Sequence, residues 1–98
     1  MTHAEEIMQA VASLMERERR EVFSREEIRR ELGLSRDDWA ASYSPTFQGM
    51  RVDEPGGART VGTRFKGVFR RVEHGKHTLT DYGRQLLAEP IHVWRSGV

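Results

Sequence analysis

The hydrophobic positions of this chain fall into blocks of different period. From residue 4 to 20, Ile7, Met8, Val11, Leu14 and Met15 recur at helical spacing and form one apolar stripe. Glu5 and Glu6 stand in the first turn of that stretch and Arg17, Arg19 and Arg20 in the last, as the helix dipole favours. The next apolar block, in residues 21–23, has room only for a strand of two or three residues. A second helix opens at Ser24. In Ser24-Arg25-Glu26-Glu27 the serine hydroxyl and the Glu27 carboxylate are spaced to satisfy each other's backbone amides as a capping box. Ile28 and Leu32 then share a face, and Gly33 ends the helix.

Two further starts follow closely. Ser35, with Asp38 three residues on, predicts a short helix over 36–42. Ser44-Pro45 predicts another over 45–52, with serine as cap and proline at the first helical position, where its missing N–H costs nothing. Phe47 and Met50 share one face of this helix, and Thr46, Gln48 and Arg51 lie off it. Asp53-Glu54-Pro55-Gly56-Gly57 stops it and begins a long loop, 53–67, that also holds Gly62 and Gly67. Loops of this length in a small domain are usually functional or mobile. Residues 68–80 predict a hairpin turning at His74-Gly75. Two registers fit it: a two-residue loop pairs Val72 with His77, and a longer one pairs Phe69 with Leu79. Thr80 caps a last helix through about Ala88, with Tyr82, Leu86 and Leu87 apolar, and Pro90 precedes an apolar tail in 89–98.

These elements predict one α+β domain over 1–98, mainly α, in the order α-β-α-α-α-β-β-α. Its 37% hydrophobic and 32% charged residues suit a globular chain rather than a disordered one. There is no apolar run of the ~18 residues a membrane span needs and no secretory signal pattern, so a cytoplasmic location is expected. The absence of cysteine excludes disulfides, thiolate catalysis and sulfur-ligated zinc. His74 and His77 form an HxxH across a turn with no evident third ligand, so no metal is expected. Gly56-Gly57-Ala58-Arg59-Thr60-Val61-Gly62 lacks the lysine and spacing of a phosphate-binding loop. With no catalytic motif in sight, neither enzymatic activity nor a cofactor is expected.

The formal net charge of +1 hides an asymmetry. Residues 1–50 carry 7 basic and 10 acidic side chains, and residues 51–98 carry 9 and 5. An acidic half beside a basic one suggests an oriented face for a polyanion.

Two short motifs extend this reading. Gly33-Leu34-Ser35, after an amphipathic helix, resembles the turn of DNA-binding helix-turn-helix proteins. Residues 75–87, GKHTLTDYGRQLL, are similar to the strand that leaves the wing in winged-helix regulators, with His77 where an aromatic residue is usual. The stretch from Phe23 to Leu87 resembles small bacterial winged-helix domains related to the HARE-type group, from which the insertion at 55–67 departs. The resemblance implies a winged helix-turn-helix with a two-stranded wing. It also implies sequence-selective or structure-selective binding of double-stranded DNA, by a transcription regulator or a DNA-associated accessory protein.

A helix fits the major groove and reads base edges there, while phosphate contacts supply most of the affinity. Asp37 and Asp38 make the 36–42 helix a poor neighbour for phosphates, so the 45–52 helix is expected to read the bases through Thr46, Gln48 and Arg51. Ser44, Arg59, Arg64, Lys66, Arg70, Arg71 and Lys76 are expected to hold the DNA backbone. The plainer reading makes Gln48 a solvated helix residue, pairs Arg51 with Asp53 or Glu54, and leaves the hairpin cations as charges that protect a sheet edge. The rival function is a protein-interaction or dimerisation module without DNA contact. Leu86, Leu87, Ile91, Val93 and Trp94, in the last helix and tail, are expected either to pack internally or to form a partner or homodimer surface.

Overall fold

The computed structural model describes residues 2–52 and 63–89 of the chain. Helix α1, His3–Glu18, starts on the hydroxyl of Thr2, which accepts from the Glu5 amide at 3.2 Å while the Glu5 carboxylate accepts from the Thr2 amide. It ends two residues before the expected Arg20, where Arg19 turns left-handed at φ 52°. Its stripe lies in the core, with Ile7, Met8 and Val11 wholly excluded from solvent. Strand β1, Val22–Phe23, leads to α2, Arg25–Leu32. The capping box is formed: Ser24 Oγ accepts from the Glu27 amide at 3.1 Å and Glu27 Oε1 from the Ser24 amide at 2.9 Å. Gly33 ends α2 at φ 71°, and its N–H reaches the carbonyls of Arg29 and Arg30.

The two helices expected next are one. Residues 36–49 form a continuous helix, α3, made of an α-turn (Arg36–Asp38), a π-turn (Trp39–Tyr43) and a second α-segment (Ser44–Gly49). Ser35 caps it as expected, accepting from the Asp38 amide at 3.1 Å. Ser44 is not a cap. Its backbone is helical at φ −61° and ψ −45°, its amide donates to the Trp39 carbonyl in the wide π pattern, and its hydroxyl accepts from Arg25 Nη1 at 3.1 Å. The cause is Pro45. Inside a helix proline removes an N–H and its ring crowds the carbonyl four residues back, and an extra residue in the preceding turn relieves both problems. The wide turn also keeps Trp39, Tyr43, Phe47 and Met50 on the inner face, Tyr43 half-buried and the other three buried.

After a 3₁₀ turn at Thr63–Phe65 come β2, Phe69–Glu73, and β3, Lys76–Leu79. With β1 they make an antiparallel sheet in the order β1-β3-β2. The longer-loop register holds along the hairpin, and the expected Val72–His77 pair is not formed, because Arg71 takes the place opposite His77. At the tip Glu73 pairs with Lys76 across the two-residue turn, and at the root Phe69 pairs with Leu79. A bulge between Arg71 and Glu73 absorbs the difference and leaves Val72 about half exposed. Gly75, at φ 77°, supplies the backbone conformation that the turn demands. Helix α4, Asp81–Ala88, starts on Thr80 Oγ1, which accepts from the Gly83 amide at 3.0 Å.

The core lies between the helices and the sheet. Phe47 of α3 stacks on Phe69 of β2 with ring centroids 4.9 Å apart, and Phe23 of β1 meets Phe69 edge-on at 5.5 Å. No helix among the described residues is long and apolar enough to cross a membrane.

Candidate nucleic-acid interface

The α2–α3 corner is braced by ion pairs. Arg29 spans it, donating through Nη1 to the Leu34 carbonyl at 2.7 Å and through Nη2 to Glu26 at 2.5 Å. Arg36, at the start of α3, lies 4.0 Å from the same carboxylate. The hydrogen bond from Arg29 is the main reason the Glu26 carboxyl is held below the usual carboxylate range. On the far side, Tyr43 donates to Glu6 of α1 at 2.8 Å and stacks on His3 at 4.1 Å. Burial and the neighbouring Glu6 carboxylate push the Tyr43 phenol up. Thus α3 is fixed at both its turn and its middle.

What this helix shows to solvent differs from the expectation. Its exposed residues are Arg36, Asp37, Asp38, Ala40, Ala41, Ser42 and Pro45: acidic at the start, then small and neutral. Thr46 is buried, and its hydroxyl donates back to the Ser42 carbonyl at 3.1 Å. Arg51 is also buried, at 8% exposure. The chain leaves α3 beside the root of β2, where Arg51 bridges to Phe69 in parallel and the Val52 amide donates to the Phe69 carbonyl at 2.8 Å. Thr46 and Arg51, expected to face a groove, are therefore both buried: Thr46 turns back on its own helix, and Arg51 lies where the chain leaves α3 beside the sheet root. Gln48, half-buried, is the member of that trio with side-chain surface left.

The hairpin is where the expected cations are exposed. Every residue of β2 after Phe69 is exposed, and Lys66 is exposed just before the strand. Successive strand residues leave opposite faces. Arg71 therefore shares the face of its cross-strand partner His77, turned toward α3, and Arg70 shares the other face with its partner Thr78. The tip cation is shared, since Lys76 Nζ lies 3.2 Å from Glu73. Arg64 is half-buried, and its carbonyl accepts from the Tyr82 hydroxyl. Arg59 lies outside the described residues, as does the tail with Ile91, Val93 and Trp94. Leu86 of α4 is buried in the chain's own core, and Leu87 packs partly buried against that core, which is the internal packing of the two alternatives.

Sequence reasoning missed Arg25. Its guanidinium sits 5.1 Å from the centroid of the Phe47 ring and hydrogen-bonds Ser44, which sets a cation at the side of α3. The contact spans 19 positions of sequence, so no local spacing announces it. His74 is exposed and His77 buried, and among the described residues no three potential metal ligands cluster.

No protein-family model, curated protein or solved structure matches the chain. The functional reading rests on its own residues.

Proposed function

We propose that the chain is a winged helix-turn-helix domain that binds double-stranded DNA, with the β2–β3 hairpin as its wing, in a regulator of transcription or an accessory protein of DNA. The observation that carries this reading is the pair Arg70 and Arg71, exposed on opposite faces of one strand, with Arg71 on the side of α3. A ribbon with a cation on each face suits the space between two phosphate rails better than a single strand, and a duplex groove admits a two-stranded ribbon. Lys66 adds charge at the root, and Arg25 adds it beside α3. Gln48 is the candidate base contact. In this reading phosphate contacts dominate, and selection among sequences is modest because α3 brings few base-reading groups to its surface.

One observation favours a second reading, a protein-interaction module. The outward face of α3 pairs two carboxylates with small side chains, which repels phosphate but permits close approach of another polypeptide.

Fluorescence polarisation with a random duplex, and with one of its single strands, separates the two. The DNA-binding reading predicts micromolar or tighter duplex binding at about 50 mM salt, preferred over the single strand. With roughly four to five phosphate contacts, log K should fall against log salt with a slope of about −4. No binding to any duplex at that salt concentration would leave the interaction reading in place.

A further inference from the structure

Three guanidinium groups meet one carboxylate at the α2–α3 corner. Arg29 takes both oxygens of Glu26, donating through Nε at 3.1 Å and through Nη2 at 2.5 Å. Arg30 and Arg36 approach the same Oε1 but stop at 3.6 Å and 4.0 Å, beyond hydrogen-bonding distance. Their side chains are 71% and 82% exposed. The hydrogen bond from Arg29 leads the causes that hold the Glu26 carboxyl below its usual range, and attraction to Arg36 and Arg30 comes last. One carboxylate thus gathers two further cations without satisfying their N–H donors.

Stability does not explain this pair. Exposed ion pairs with such loose geometry contribute about 0–1 kcal/mol. Arg30 suits the last turn of α2, where the helix dipole favours a cation. Arg36 stands in the first turn of α3, the positive end of the dipole, where a cation is disfavoured. Two acids follow it. Asp38 is close enough to Tyr43 to help raise its phenol, which places it toward α1, and Asp37 is exposed. Three guanidiniums against Glu26 and Asp37 leave the α2 side of the corner positive.

We propose that Arg30 and Arg36 form a site for a phosphate group on the α2 side of this corner. A guanidinium offers a planar fork of donors that matches phosphate oxygens, and its charge strengthens each bond. Glu26, engaged by Arg29 through both oxygens, competes poorly for those donors, while its charge offsets the repulsion between the two cations. In so far as this rests on the DNA-binding reading, the phosphate belongs to the duplex backbone. The duplex is then held at two places, the hairpin and the corner, and meets the corner from α2 rather than across the acidic outward face of α3. A free phosphate has the same chemistry, and the test separates the two sources.

The test compares the parent with Arg30→Ala, Arg36→Ala and the double variant in duplex binding across salt concentrations. Alongside it, the arginine Nε–Hε signals of the parent are followed by NMR during titration with inorganic phosphate. Both side chains are exposed, so the fold should survive their loss, and urea denaturation checks it. Each single change should reduce the magnitude of the log K–log salt slope by about one and the double change by about two. Arg30→Lys and Arg36→Lys should keep the slope, because they keep the charge. That result assigns the site to backbone phosphate. An unchanged slope with a saturable shift of the Arg30 and Arg36 signals in millimolar phosphate assigns it to a free phosphate. An unchanged slope with no such shift overturns the proposal and leaves DNA binding through the hairpin standing. Where the parent binds no duplex at all, the DNA-binding reading fails, and the phosphate titration alone decides the site.

Discussion

Phe47→Ala should lower the unfolding free energy by about 4 kcal/mol, near the upper end for truncating a buried aromatic ring. Phe47 is wholly excluded from solvent and meets four groups from different elements: Trp39 on its own helix at 6.3 Å, Phe69 at 4.9 Å, His77 at 5.0 Å and the Arg25 guanidinium at 5.1 Å. The cavity would open where α2, α3 and the sheet converge, and secondary structure on three sides limits its collapse. A domain of this size has roughly 5–15 kcal/mol in all, so the variant should be marginal. Phe47→Leu, which keeps most of the volume, should lose less than half as much. Urea denaturation of the three proteins gives the comparison. A loss below about 1.5 kcal/mol for Phe47→Ala would mean that the ring is not the junction described.

Gly83→Ala should cost about 3 kcal/mol, against the ordinary rule. In an exposed helix interior, replacing glycine by alanine stabilises by up to about 1 kcal/mol. Here a Cβ would sit 2.3 Å from the Val68 carbonyl oxygen and 2.9 Å from Leu79 Cδ2. The same Val68 oxygen accepts from the Thr80 amide at 2.9 Å, and Thr80 Oγ1 donates to the Gly67 carbonyl at 2.6 Å. Alanine must push α4 off the root of the hairpin and strain both bonds, an overpacking cost at the high end of the usual range. Thermal unfolding decides it: a midpoint equal to or above that of the parent would show that α4 does not lie so close.

Local signals proved reliable where the forces that set an element are local. The Ser24–Glu27 box, the Gly33 stop, the Ser35 and Thr80 caps and the inward faces of α1 and α2 all depend on residues within about a turn of each other, and all are found. The hairpin was half legible. Its turn is written in His74-Gly75, but the bulge at Val72 answers two demands made at opposite ends, a tight tip and a Phe69–Leu79 pair at the root. The Ser44-Pro45 signal misled because a proline start and a proline tolerated after a π-turn look alike in sequence. What separates them is the tertiary pull on Trp39 and Tyr43, held to α1 and the core. The candidate interface suffered most. The burial of Thr46 and Arg51 and the placement of Arg25 over Phe47 depend on partners far along the chain, which helical periodicity does not encode.

The central claim is that the wing holds duplex DNA through a cation on each face. The most direct test is the salt dependence of duplex binding by Arg70→Ala, Arg71→Ala and the double variant. These side chains are exposed on the hairpin, so the fold should survive their loss. The account predicts that each single change weakens binding to all sequences alike and reduces the magnitude of the log K–log salt slope by about one, and that the double change reduces it by about two. A double variant that binds duplex with the parent's affinity and slope would contradict it.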